Sequence, residues 1–304
     1  MEGNRLNIPF FGTLLYPTFH LMYEQWGYKI RIPGKLVLLL AAYGGYKVYG
    51  KLYNLLTTGI KCLMPQKKSL TTPGEEEEWA VIVGADTEMG KQFAFELAQR
   101  NYKLILFGDS LSQLEKAIEE IKRPDLEILH FTLTISVDTD FTKLTAAIND
   151  NIRSKKIGIL VNISSILPRE NLIHYLSDEE VKNRICQNVV TPAIAMQKVL
   201  RSMVSKNSGL VYNVTAPSKM DYKDPLNYSG MMFLDTLSLC YHTKYEPLGV
   251  YIHSVRASIS CDAEPAETQK FVKNTLKWGG IKPILHGGFL SSFTQSLASN
   301  INFK

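Results

Sequence analysis

Between Trp79 and Ala257 six short apolar runs alternate with segments of helical periodicity, and this alternation constrains the fold more than any other feature of the chain. The runs are 79–84 (WAVIVG), 102–108 (YKLILFG), 126–133 (LEILHFTL), 157–164 (IGILVNIS), 209–215 (GLVYNVT) and 250–257 (VYIHSVRA). Helical spacing fills 91–101, 111–121, 143–152, 179–204 and 228–247. Strands that read as apolar throughout are covered on both faces, and strands separated by helices pair in parallel. The pattern predicts an α/β, doubly wound parallel sheet over 79–262. A shortened helical segment (263–304) follows it, and a solvated linker (65–78, PQKKSLTTPGEEEE) precedes it.

Residues 1–64 are of a different kind. The first 70 residues carry nine basic and two acidic side chains, a local charge of +7, whereas the whole chain is only +5. A uniformly basic nucleic-acid binder does not distribute charge this way, so nucleic acid is excluded as a partner. A basic, aromatic, apolar extension on a near-neutral domain suits a membrane surface. The run 36–46 (LVLLLAAYGGY) is uncharged for 11 residues. A span of roughly 20 residues requires the helix to continue through Lys47 and Lys51 to about Leu56. The pattern fits such a span, an interfacial helix or a hairpin anchor. Four cysteines without C-x-x-C spacing, and six scattered histidines, supply no metal-ligand pattern.

The strand WAVIVG leads into GADTEMG and then a helix, with Gly84 and Gly90 placed where backbone must approach a pyrophosphate at a helix N-terminus. With LVNIS (160–164), NVTA (213–216) and YSGMM (228–232) in fixed order, the chain resembles the short-chain dehydrogenase/reductase superfamily, which has a Rossmann-like fold. GILVNIS (158–164), RICQN (184–188) and EPLGVYIHSV (246–255) resemble its 17-beta-hydroxysteroid dehydrogenase and very-long-chain 3-oxoacyl-CoA reductase branch. The resemblance spans about 79–290. It implies carbonyl reduction with NADPH and an endoplasmic-reticulum membrane location with the globular domain facing the cytosol. It also implies pairing into homodimers through two long helices.

The resemblance assigns the proton-donating tyrosine to Tyr228 and the relay asparagine to Asn188. Met232 stands where the family has the lysine that binds the nicotinamide ribose and activates the tyrosine. Counting forward from the fifth strand puts Ala216 at the serine position; counting back 13 residues from Tyr228 gives Thr215, whose hydroxyl can serve. Asn162 matches the first asparagine of the family's N-N-x-G, but Ile163, Ser164 and Ser165 replace the rest. Glu88 replaces the central glycine of the phosphate loop, Val83 its leading threonine, Thr134 the aspartate after the third strand, and Arg256-Ala257 the Pro-Gly after the sixth. Asp109 closes the second strand, where NADPH users place an arginine.

These departures set the expected chemistry. A carboxylate 4 Å from a pyrophosphate charge costs about 4 kcal/mol at an effective dielectric of 20, roughly a thousandfold in affinity, and Glu88 meets that upper end unless it rotates into water. Asp109 repels a 2′-phosphate and accepts from a ribose hydroxyl, so any NAD(P)(H) binding is weakened and favours NAD(H) over NADP(H). Without a cation at 232, alcohol oxidation loses the support of its tyrosinate base, and reduction loses a ribose-positioning donor. The sequence therefore predicts a membrane-associated, catalytically impaired member of the superfamily, binding lipid or steroid-like molecules or acting as a scaffold. The alternative is an active NAD(P)H-dependent 3-oxoacyl-CoA or hydroxysteroid oxidoreductase using Tyr228.

Overall fold

The computed structural model describes residues 18–22, 29–63, 78–133, 146, 149–163, 172–215, 224–257 and 264–286. The chain divides into two compact units, Met1–Pro65 and Gln66–Lys304.

In the first unit, strands β1 (Thr18–Met22) and β2 (Lys29–Pro33) pair antiparallel, Thr18 opposite Pro33, and lead into helix α1 (Gly34–Leu63). Leu36, Leu39, Leu40, Tyr43, Tyr46, Tyr49 and Leu52 on α1 are all exposed, so its apolar surface is not confined to one stripe. Lys47 lies over the Tyr43 ring, 5.5 Å from its centroid. Among the described residues no helix is long and apolar enough to cross a membrane. The apolar run of α1 is interrupted by Lys47 and Lys51, which the spanning form of the sequence reading has to carry into the bilayer.

The second unit contains a seven-stranded parallel sheet in the order β5-β4-β3-β6-β7-β8-β9 (pairings run from Trp79 opposite Lys103 to Val255 opposite Leu285). The strands are β3 (Trp79–Val83), β4 (Lys103–Gly108), β5 (Ile128–Thr132), β6 (Ile157–Ile163), β7 (Gly209–Thr215), β8 (Val250–Arg256) and the two-residue β9 (Ile284–Leu285). β3, β6 and β7 are buried along their whole length, as central strands covered on both faces must be, whereas β5 at the edge is partly exposed. On one face Phe93, Ala94 and Leu97 of α2 (Glu88–Ala98), Leu114 and Ile121 of α3 (Leu111–Ile121) and Phe271, Val272 and Leu276 of α7 (Pro265–Lys277) pack against Ala80, Ile82, Leu104 and Leu106. On the other face Ala195, Met196, Val199 and Met203 of α5 (Thr191–Ser205) and Leu234 of α6 (Pro225–Tyr245) cover Val81, Ile105, Leu160 and Val211. Each fully buried Val, Leu, Ile, Phe or Met among them contributes about 1.5–3 kcal/mol.

The chain winds outward from β3 through β4 to β5, then returns to β6 and winds the other way. The strand order therefore reverses between β3 and β6, and the crevice outside the carboxyl ends of such strands is where open α/β sheets bind ligands.

Among the elements that differ from the sequence reading, two have a local cause. The expected helix over 179–204 is three pieces: α4 (Asp178–Ile185), a π-helical turn (Cys186–Val190) and α5. The cause is Pro192, which has no N–H to return to the Asn188 carbonyl and whose ring crowds that carbonyl, so the helix widens there. Helix α2 begins at Glu88, three residues before the expected start, because the Thr87 hydroxyl caps it by accepting from the Gly90 N–H at 3.1 Å.

Candidate active site at the sheet reversal

The loop from β3 to α2 is held by its own backbone. Gly84 has φ +83°, and a Cβ there meets the Ile163 carbonyl oxygen at 2.8 Å. A Cβ on Gly90 meets the Gly84 oxygen at 2.2 Å, so both glycines predicted from sequence are required by close packing. The Gly84 and Ala85 amides donate to Phe107 O, both at 2.9 Å, and the Thr87 hydroxyl donates to Gly84 O at 2.7 Å. Among the described residues the Glu88 and Met89 amides have no acceptor in the chain. They are the first two N–H groups of an 11-residue helix and suit an anion. The Glu88 carboxylate turns along the helix and accepts from Gln92 Nε2 at 3.0 Å. The full repulsion expected from sequence is therefore relieved, although Glu88 still places a negative charge in the helix's first turn.

At the end of β4 the Asp86 carboxylate accepts from the amides of Asp109 (2.9 Å) and Ser110 (3.2 Å). Burial of the Asp109 carboxyl, reinforced by the Asp86 charge, pushes it up to about 6 even though the residue as a whole remains exposed; a hydrogen bond from Gln187 opposes the rise. That bond, from Gln187 Nε2 to Asp109 Oδ2, is 2.9 Å long.

Asn188 lies in the π turn, buried, and its Nδ2 donates to Asn227 Oδ1 at 2.9 Å. A Cβ on Gly230 meets Asn188 Cβ at 2.8 Å, so the π turn and α6 touch at the turn of helix that carries Tyr228. Asn188 Oδ1 is buried without a partner among the described residues. Tyr228 is half-buried, and its N–H donates to Asp224 O at 3.0 Å. Asp224, the N-cap of α6, is gripped by Arg184, whose Nη1 lies 3.0 and 2.9 Å from its two carboxylate oxygens. Met232 is half-buried one turn beyond Tyr228. One turn further, Asp235 is held by Arg256 through Nε and Nη2, each at 3.0 Å, and by the Ser254 hydroxyl. Arg256 is thus paired with Asp235, and Arg184 with Asp224 through Nη1, while Arg184 Nη2 is buried without a partner among the described residues.

Asn162 and Thr215 are placed inside the protein. Asn162 Nδ2 donates to Asn213 Oδ1 at 2.8 Å, and Asn213 Nδ2 donates to Ser238 Oγ at 2.8 Å, tying β6, β7 and α6 together. Thr215 is fully buried, its hydroxyl 3.2 Å from Ser254 Oγ and 3.4 Å from Val255 O. The Asn162 Nδ2 thus ties into the core while its Oδ1 is buried without a partner among the described residues, and the Thr215 hydroxyl lies between β7 and β8. Ala216, Thr134, Ser164 and Ser165 lie outside the described residues. Arg184, Asp224, Asp86 and Gln187 were not singled out from sequence. Asp224 carried a signal, an aspartate immediately before Pro225 at a helix start.

An α/β sheet reversed at β3–β6, with a glycine-bracketed loop running into a helix N-terminus at that reversal, is the architecture of a dinucleotide-binding fold. Residues 78–259 match the sequence profile of the short chain dehydrogenase family, and the chain belongs to that family. It is 30% identical over 240 residues to a human very-long-chain 3-oxoacyl-CoA reductase, covering 74% of this chain and 75% of that protein. It is also 30% identical over 216 residues to the Mus musculus 17-beta-hydroxysteroid dehydrogenase type 3, covering 66% and 68%. In fold it is similar to a short-chain dehydrogenase from Sphingobium yanoikuyae in complex with NADPH (TM-score 0.59, 15% identity, 74% of this chain and 96% of that one).

Proposed function

We propose that this protein is a membrane-associated short-chain dehydrogenase-family member that keeps a weak dinucleotide site and binds a lipid or steroid-like carbonyl compound, with proton chemistry impaired. The observation that supports impairment most is the uncharged thioether of Met232 one helical turn from Tyr228, where the resemblance places a lysine. NAD(H) is favoured over NADP(H), because Asp109 accepts from hydroxyls and repels phosphate. Bound nicotinamide supplies or accepts a hydride. The chain's own part is to anchor phosphate at the α2 N-terminus, accept the ribose at Asp109 and offer the Tyr228 hydroxyl to a carbonyl oxygen. Relatives named for 3-oxoacyl-CoA and hydroxysteroid activity support that substrate class. The exposed aromatic surface of α1 and the basic N-terminal charge support attachment to a membrane, which we assign to the endoplasmic reticulum with the second unit facing the cytosol. A homodimer is the proposed assembly.

One observation favours an active reductase instead: Glu88 is turned toward Gln92, which removes part of the barrier to cofactor binding. Calorimetric titration with NADH and NADPH, followed by turnover assays on a 3-oxoacyl-CoA and a ketosteroid, separates the two. Impairment is supported by NADH binding without turnover. Turnover abolished by Tyr228→Phe refutes it.

A further inference from the structure

We propose that Gln187 and Asp109 form a latch across the crevice at the strand reversal, which a dinucleotide must open to seat its adenosine ribose. The inference rests on the dinucleotide reading above and adds a closing element to it.

Asp109 follows β4, and Gln187 belongs to the π turn that precedes α5. The N-terminus of α5 is tied to β6, since Asn162 Nδ2 lies 3.4 Å from Pro192 O. β4 and β6 are not neighbours; β3 lies between them. Adjacent strands are about 4.8 Å apart, so β4 and β6 are roughly 10 Å apart, and the 2.9 Å bond links the end of β4 to the turn that leads into the helix seated on β6. The loop from β3 to α2 reaches the same strand end, since its Asp86 carboxylate accepts from the Asp109 and Ser110 amides. The latch therefore joins the two halves of the doubly wound sheet across the face where a ligand enters.

Its chemistry matches what it excludes. The Gln187 amide occupies Oδ2 of the Asp109 carboxylate, so a ribose whose two hydroxyls take both carboxylate oxygens competes with it for that oxygen. The Asp86 carboxylate holds the Asp109 backbone from below through the Asp109 and Ser110 amides. Asp109 is thus a fixed anchor, and Gln187, half-buried on a widened helical turn, is the arm that swings.

The test compares wild type with Gln187→Ala. In the protein without cofactor, carboxyl NMR reads the titration of Asp109. Loss of the amide donor moves its midpoint upward; an unchanged midpoint refutes the contact. Calorimetry then reads NADH affinity. The latch requires Gln187→Ala to bind roughly tenfold tighter, a factor within reach of one hydrogen bond to a charged group. Equal or weaker binding by the variant refutes the latch and leaves the dinucleotide reading standing. Absence of NADH binding to both proteins refutes the dinucleotide reading, and the latch with it.

Discussion

Asn213 shows how a side chain read only as part of a family motif takes on a structural task. It receives from Asn162 and donates to Ser238, both at 2.8 Å, and it is completely buried. Asn213→Ala leaves the Asn162 amide only its longer 3.4 Å contact to Pro192 O, in a region closed to water. Urea denaturation should show a loss of about 1–3 kcal/mol, since a poorly satisfied buried amide forfeits most of its bond without regaining water. Met232 carries the opposite lesson. It shares a helical face with Tyr228 and Asp235, at spacings of four and three residues. Because Arg256 already neutralises Asp235, a lysine at 232 would be left for the phenol and a ribose. The placing of Tyr228 and Met232 one turn apart on a single helix was legible in the sequence because their spacing is four residues. The engagement of Arg184 and Arg256 was not, because it joins α4 to the α6 cap and β8 to the α6 body.

At the scale of elements, the strands were legible almost to the residue, since buried parallel strands are continuous apolar runs. β9 was missed because two residues, Ile284 and Leu285, leave no pattern to detect. The break at Cys186–Val190 was missed because hydrophobic periodicity continues across it; Pro192 was the available signal. That π turn meets α6 at Gly230, where a Cβ comes within 2.8 Å of Asn188 Cβ. Gly230→Ala therefore forces the two elements apart at the candidate site. We expect a loss of about 1–3 kcal/mol in thermal or urea denaturation, with weaker NADH binding than wild type. An unchanged melting temperature would mean that the crossing is looser than these distances indicate. The Gln187–Asp109 bond joins residues 78 positions apart on different elements, a separation that no local pattern encodes.

At the scale of the whole molecule, His253 couples the sheet to the chain after α7. It is fully buried on β8, its Nδ1 lies 2.6 Å from Lys282 O, and its Nε2 accepts from the Gly280 N–H at 3.0 Å. It is therefore held neutral. Burial lowers it to about 3, against about 6.5 in an unfolded chain, with a smaller push from His242 and opposition from the Lys282 carbonyl. The unfolded chain then binds the proton first as pH falls. The stabilisation is complete above about pH 6.5 and is lost progressively toward pH 3. This residue alone should remove roughly 3 kcal/mol between pH 7 and pH 4, read from urea midpoints. His253→Gln should flatten that dependence. The fold was legible at this scale as well, but the polar ties that hold its carboxyl edge were not, because they depend on which residues the sheet order brings together.

The central claim is that the missing cation at position 232 disables proton chemistry on a sheet that still offers a cofactor edge. The rate of NADH oxidation with a 3-oxoacyl-CoA, compared between wild type, Met232→Lys and Met232→Lys/Glu88→Gly, tests it most directly. The account predicts wild-type turnover at the detection floor, little gain from the single change because Glu88 still charges the α2 N-terminus, and recovery of at least roughly a hundredfold in the double variant. Robust wild-type turnover that Tyr228→Phe abolishes would contradict it.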